Sequence, residues 1–153
     1  RVRDVVFVFL DQDYEHQLGG RSFAKKLLNE GSEVLGVFLL DQLGWDLDGD
    51  RRLETHSSSP DLVELFGASM SRHGLGVEVT ATNRRGQGHQ VFRALGFPAM
   101  VLSQEIESGD THPPYDLDFY ASIDLEYLLS STVALNALLA DLSTKRSLEK
   151  EER

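Results

Sequence analysis

The 153 residues carry no cysteine, 41% hydrophobic and 26% charged side chains, and a net charge of −10. That length fits one domain with a core of its own, and the lack of thiols excludes disulfides, thiolate nucleophiles and thiolate metal sites. The negative charge argues against nucleic acid as a partner, because phosphate binding needs a basic face.

No apolar run approaches the ~20 residues of a membrane span, and no signal peptide is visible. The chain opens on Arg1 and goes straight into an apolar run, so an upstream segment is expected.

Val5–Leu10, VVFVFL, is β-branched and aromatic throughout, the pattern of a strand buried on both faces of a sheet. A turn is expected at Gly19-Gly20. Phe23, Ala24, Leu27 and Leu28 then fall at helical spacing, with Gly31 as the stop. Val34–Leu40 is a second buried strand ending at Asp41, and RLETHS, from Arg52, a short third one. Ser59-Pro60-Asp61 opens a helix, Ser59 as N-cap and Pro60 at its first position, with Leu62, Val63, Leu65 and Phe66 as the apolar face. Val77–Ala81 alternates like a strand, Gln90–Leu95 is helical up to Gly96, and Phe97–Leu102 is another buried strand. Asp124 caps a last helix whose apolar stripe is Leu125, Leu128, Leu129, Val133, Leu138, Leu139 and Leu142. Strands alternating with helices imply crossovers and a mostly parallel sheet, an α/β fold with helices on both faces.

Two of the strands end in acids, Asp11 and Asp13 after Leu10 and Asp41 after Leu40. Carboxyl ends of strands are where α/β proteins build sites. An Asp there can bind a metal, act as a base, or cap the next turn. Asp46 to Glu54, DLDGDRRLE, has the alternating acids of a calcium loop, but Arg51 stands at the sixth position where glycine is needed, and Ser57 at the twelfth. A plain turn is the expectation. His56 and His73 are isolated in sequence, as surface or helix-end residues would be.

The stretches VVFVFLDQDYEHQLGGRSFAKKLL, GVFLLDQLGWD, SPDLVELFGASM through QVFRALGFPAMVLS, and SGDTHPPYDLDFYASIDLEYLL resemble the zinc-dependent aminopeptidase family, which includes glutamate carboxypeptidases and glutaminyl cyclases. The resemblance covers residues 2–142. It implies a zinc-exopeptidase-like α/β fold, of which this chain would be the C-terminal part of the catalytic domain, lacking the N-terminal strands. Residues 1–142 would form this partial domain, and residues 143–153 a charged, disordered tail.

What the resemblance implies about the site follows from the family's ligands: a His-x-Asp pair, a Glu-Glu pair, a later Asp and a final His around two zinc ions. The His-x-Asp pair would fall upstream of Val5. Keeping RSFA in register puts Asp13 on the general base and Tyr14 on a zinc ligand. A phenol of pKa ~10 is a poor zinc ligand, and sliding the register to use Glu15 leaves Tyr14 as base. LLDQLGW places Asp41 on the later Asp. The final His is replaced around Tyr115 by Asp116, with His112 four residues earlier. His89, ahead of QVFRALGFPA, matches a histidine near the substrate site. Candidate site residues are therefore Asp13 as base, Asp41, Glu15, Asp116 and His112 as metal ligands, and His89 for substrate.

By resemblance the cofactor would be zinc and the substrate a peptide or aminoacyl compound cleaved at its N-terminal bond, with an extracytoplasmic location. Only Asp41 among the expected ligands and base is unchanged, so weak or absent activity is expected. The alternative is a non-catalytic binding or assembly module that keeps the fold, as transferrin receptors do. A sheet short of strands also makes a homo-oligomer an expectation.

Overall fold

A computed structural model describes residues 3–11, 16–46, 49, 51–82, 88–104, 120 and 123–144. Among these the elements run α1 (Leu18–Asn29), β1 (Val37–Asp41), β2 (Leu53–His56), α2 (Pro60–Arg72), β3 (Val79–Thr82), α3 (His89–Arg93), β4 (Ala99–Gln104) and α4 (Leu125–Thr144). The sheet order is β1-β4-β2-β3. β1 and β4 pair in parallel, as do β2 and β3, while β2 meets β4 antiparallel through Leu53↔Gln104 and Glu54↔Ser103. The sheet is mostly parallel, with helices on both faces. On one face α2 and α4 close a core of Leu53, Leu62, Phe66, Met100, Leu102 and Leu138. On the other, α1 and α3 close a smaller one around Ala24, Val91, Phe92 and Ala99, where Phe23 meets Phe92 edge-on at 6.4 Å. Each such large apolar side chain contributes roughly 1.5–3 kcal/mol by leaving water.

All six residues of β4 are buried, yet its β2 ladder covers only Ser103 and Gln104. Hydroxyl groups from the THSSSP run continue that ladder. The Ser58 hydroxyl accepts the Val101 N–H at 3.1 Å, and the Thr55 hydroxyl donates to the Val101 carbonyl at 2.6 Å. The Ser59 hydroxyl accepts the Ala99 N–H at 3.0 Å, while the Ser59 N–H donates back to the Ala99 carbonyl at 2.9 Å. Ser59 does occupy the N-cap position of α2 ahead of Pro60, but its side chain serves β4 rather than the helix. The Ser59 carbonyl takes the N–H groups of Leu62 and Val63 instead.

Several expectations are corrected. Val5–Leu10 belongs to no strand of the described sheet and is largely exposed, Phe9 at 97%. A buried strand needs ladder partners and a cover, and the described residues give it neither. The Gly19-Gly20 pair is not a turn but part of the first turn of α1. A Cβ at Gly19 would collide with the Asp11 carbonyl, so glycine there permits the backbone of the preceding segment to cross the helix.

The stripe assigned to the last helix is also wrong in part. Tyr127, Ser131, Ala134, Leu138 and Leu142 are the residues buried, whereas Leu125, Leu128, Leu129 and Val133 are exposed. Apolar residues lie all round α4, so periodicity alone could not choose its buried face. By length and composition this helix is apolar enough to cross a membrane, with mean hydropathy 1.2 over Leu125–Ser143. Here it serves as a packing helix against α2. Asp124 caps it as expected, its carboxylate accepting the Tyr127 N–H at 2.9 Å, and its own N–H donates to the Gly44 carbonyl beyond β1.

Asp141 joins α4 to the end of α2 through Arg72 and His73. Partial burial works against its ionised form, but the Ser69 hydroxyl, His73 and the Arg72 charge together hold its carboxyl below the usual range.

Because Ser58→Ala leaves the buried Val101 N–H without an acceptor, it should destabilise the fold by about 1–3 kcal/mol. Denaturant unfolding at equilibrium measures this, with an exposed change such as Ser71→Ala expected within about 0.5 kcal/mol of the parent.

Candidate functional site

The pairing registers put four residues in one row across the sheet. Asp41 lies opposite Ser103, Ser103 opposite Glu54, and Glu54 opposite Thr80. Directly paired residues share a face, so Asp41, Ser103 and Glu54 all point to the side covered by α1 and α3. Asp41 ends β1, as its sequence position requires. It stands two strand spacings from Glu54, roughly 10 Å.

Two residues along β2 from Glu54, His56 faces the same side, and the pair is buried to 1% exposure each. The His56 Nδ1 lies 3.6 Å from the Glu54 carboxylate, which also accepts the Thr82 hydroxyl at 2.6 Å. His89, at the start of α3 and fully buried, sets its ring edge-on against His56 with centroids 5.6 Å apart. Its Nε2 sits 3.2 Å from the Ser57 carbonyl. A carbonyl only accepts, so Nε2 is the nitrogen that donates in this contact. Burial lowers the His89 pKa below 6.5, and the neighbouring His56 and Arg93 work in the same direction against the hydrogen bond to Ser57.

Ser57 itself is in the left-handed region, φ 46°, where a serine is strained. Its carbonyl is held by both His89 and Arg93, which fixes that conformation. Beside this loop an open cavity of about 490 Å³ lies between the carboxyl ends of β2 and β3 and the first turns of α2, with His56, Ser57, Glu64 and Thr82 as polar lining. The arrangement sets the buried Glu54, His56 and His89 behind a loop whose hydroxyl groups can meet a small molecule in the cavity.

The candidates from sequence are thus distributed. Asp41 and His89 are both described, on the same face, but the row separates them. Asp13, Glu15, His112 and Asp116 lie outside the described residues. Sequence reasoning missed Glu54 and His56. His56 was expected at the surface or a helix end and is instead buried; the i, i+2 spacing in LETH, which puts both side chains on one face of a strand, was the available signal. In the calcium-like stretch, the Asp46 carboxylate accepts the N–H groups of Gly49 and Arg51, both at 3.2 Å. That is the plain turn expected.

No family model and no curated protein sequence matches this chain. Solved structures do. Legionella pneumophila LapA superposes with TM-score 0.79 at 16% identity, over 91% of this chain and 40% of that one. LapB of the same organism gives 0.75 at 19%, over 89% and 38%. The Bacillus subtilis zinc aminopeptidase gives 0.68 at 18%, over 87% and 34%. The fold is zinc-aminopeptidase-like. The chain spans well under half the length of these solved structures.

Zinc would need three or four side chains converging on one point. Among the described residues no group of three His, Asp or Glu side chains does so. The described donor set, with Asp41 apart from the Glu54–His56–His89 cluster, does not fit a zinc centre.

The His89 environment predicts acid lability. Its folded pKa is depressed, so the unfolded chain takes up the proton first as pH falls below 6.5, and stability is lost until the pH passes below the folded value. Urea unfolding at pH 8 and about pH 5 should show lower stability in acid. H89Q should give a shallower pH slope than the parent.

Proposed function

We propose that this chain is a metallo-aminopeptidase-like domain, related to enzymes that hydrolyse N-terminal peptide bonds, whose own hydrolytic activity is weak or absent. The observation that carries the reading is the superposition on three bacterial aminopeptidases, combined with Asp41 at the carboxyl end of β1. Asp41 is the one expected ligand the sequence keeps, and a strand's carboxyl end is where α/β folds place their ligands. The weakness rests on chemistry. Tyr14 stands where a ligating carboxylate is expected, and Asp13 is one methylene shorter than the glutamate base it replaces, which displaces the carboxylate from the proton it would take.

In this reading Asp13 takes the base position, Asp41 and one of Glu15, Asp116 and His112 supply metal ligands, and His89 lies toward the substrate. An extracytoplasmic location belongs to the same proposal. A second reading, a binding or assembly module without catalysis, is favoured by the exposed apolar surface of Val5–Phe9 and of Leu125, Leu128, Leu129 and Val133. Apolar surface on that scale marks interaction sites more often than bare monomer surface.

Metal analysis of the purified chain after dialysis against zinc, with hydrolysis of leucyl anilide, separates the outcomes. The expected result is less than one zinc per chain and cleavage at or near background. Two zinc ions per chain with turnover abolished by D41N would overturn the proposed weakness and leave an active aminopeptidase.

A further inference from the structure

Two imidazole rings are sealed inside the molecule where β2 meets α3. His56 is 1% exposed and His89 0%, and they stand edge-on with centroids 5.6 Å apart. Their surroundings differ. The His56 Nδ1 has the Glu54 carboxylate 3.6 Å away as a counter-charge. The His89 Nδ1 is enclosed and makes no hydrogen bond. The groups acting on the His89 ring are the His56 ring, the Arg93 guanidinium and the carbonyls of Ser57 and, more weakly, His56.

We propose that α3 is an acid-released latch, in which a proton taken up by His89 undocks α3 from β2 and α1 while β4 and the α2–α4 core stay folded. The inference is independent of whether the domain hydrolyses peptides.

A charged imidazole carries a proton on both nitrogens. Charging His89 therefore puts an N–H at the enclosed Nδ1, where no acceptor meets it, and a full charge beside Arg93. An unpaired buried donor and an uncompensated buried charge are both costly, and exposure to water relieves both. Among the described residues no element packed against α3 offsets that charge. α1 packs Phe23, Ala24 and Leu27 into the cluster around α3, and its Arg21, Lys25 and Lys26 are exposed. β1 and β4 add Val37 and Ala99 to the cluster, and Asp41 lies at the far end of β1. β3 contributes Thr82, whose hydroxyl is bound to Glu54. The Glu54 carboxylate is itself set against His56, on the other side of the ring pair.

The opening is local because α3 is held by little. It has five residues, His89–Arg93, and its cluster is the smaller of the two, while the larger joins α2, α4 and β4. Segments with few buried apolar contacts open at the lowest free energy. Release also frees the Ser57 carbonyl from His89 and Arg93, so Ser57 can leave its left-handed φ of 46°. The strain relieved favours the open form. Once α3 is out, the edge-on contact of Phe92 with Phe23 is broken and the apolar side of α1 is uncovered.

Hydrogen exchange of the full chain in increasing urea, at about pH 7.5 and about pH 5 and corrected for intrinsic rates, tests the latch. The Ala94, Leu95 and Phe97 amides are hydrogen-bonded within α3 and at its end. They should lose about tenfold in protection at the lower pH and depend only weakly on urea. The Val101 amide should stay better protected, with the urea dependence of global unfolding. In H89Q, whose side chain does not titrate, α3 protection should be the same at both pH values. H73Q, at the exposed end of α2, should keep the parent's pH response. α3 amides exchanging with the protection and urea slope of Val101, α3 protection unaltered by acid, or an H89Q chain as pH-sensitive as the parent would each overturn the proposal.

Discussion

The structure depends on satisfying the backbone of a strand buried on every side. β4 occupies the second position of the sheet, and none of its six residues reaches water. Its β1 side is a parallel ladder from Ala99 to Ser103, but its β2 side has strand partners for only two residues. An unpaired buried amide costs as much as a core truncation. Thr55, Ser58 and Ser59 remove that cost with hydroxyl groups placed where strand backbone would otherwise lie. The same residues end β2 and start α2, so the turn, the helix entry and the completion of the ladder are one local solution. Ser57 takes its strained conformation within it, and His89 and Arg93 lock it from the other face.

This arrangement explains why so much of the scaffold was legible. Leucine, valine and phenylalanine runs marked β1 and β4, Pro60 fixed the start of α2, Asp124 capped α4, and Gly96 ended the short helix α3. What was not legible depends on neighbours distant in sequence. VVFVFL has every local property of a buried strand, but burial requires partners, and periodicity does not supply them. α4 has apolar residues on all sides, and only packing against α2 selects Tyr127, Ala134 and Leu138 over Leu125 and Leu129. The burial of Glu54 and His56 was not legible because two polar residues in a short strand do not announce it. Their enclosure comes from α3 and β3.

Fold and chemistry separate along the same line. The superposed aminopeptidases share this arrangement of strands and helices at 16–19% identity, a level at which packing geometry persists while side chains at a site are free to change. The side chains that hold the scaffold are hydroxyl groups and apolar residues. The buried Glu54–His56–His89 cluster is itself tied into it, by Thr82 and by the Ser57 carbonyl. These contacts run between the chain's own side chains and backbone, and each adds stability to the scaffold directly. Metallodomains in which binding supplies the folding free energy behave oppositely.

Native-state hydrogen exchange, run with and without a chelator, tests this account most directly. The Ala99 and Val101 amides, held by serine hydroxyls inside the sheet, should be among the slowest to exchange, opening only with global unfolding. Their rates should be unchanged when divalent metal is stripped away. Rapid exchange at Ala99 and Val101, or a large acceleration on adding chelator, would contradict it, because either result would mean that the hydroxyl ladder does not hold β4 or that a bound metal holds the fold.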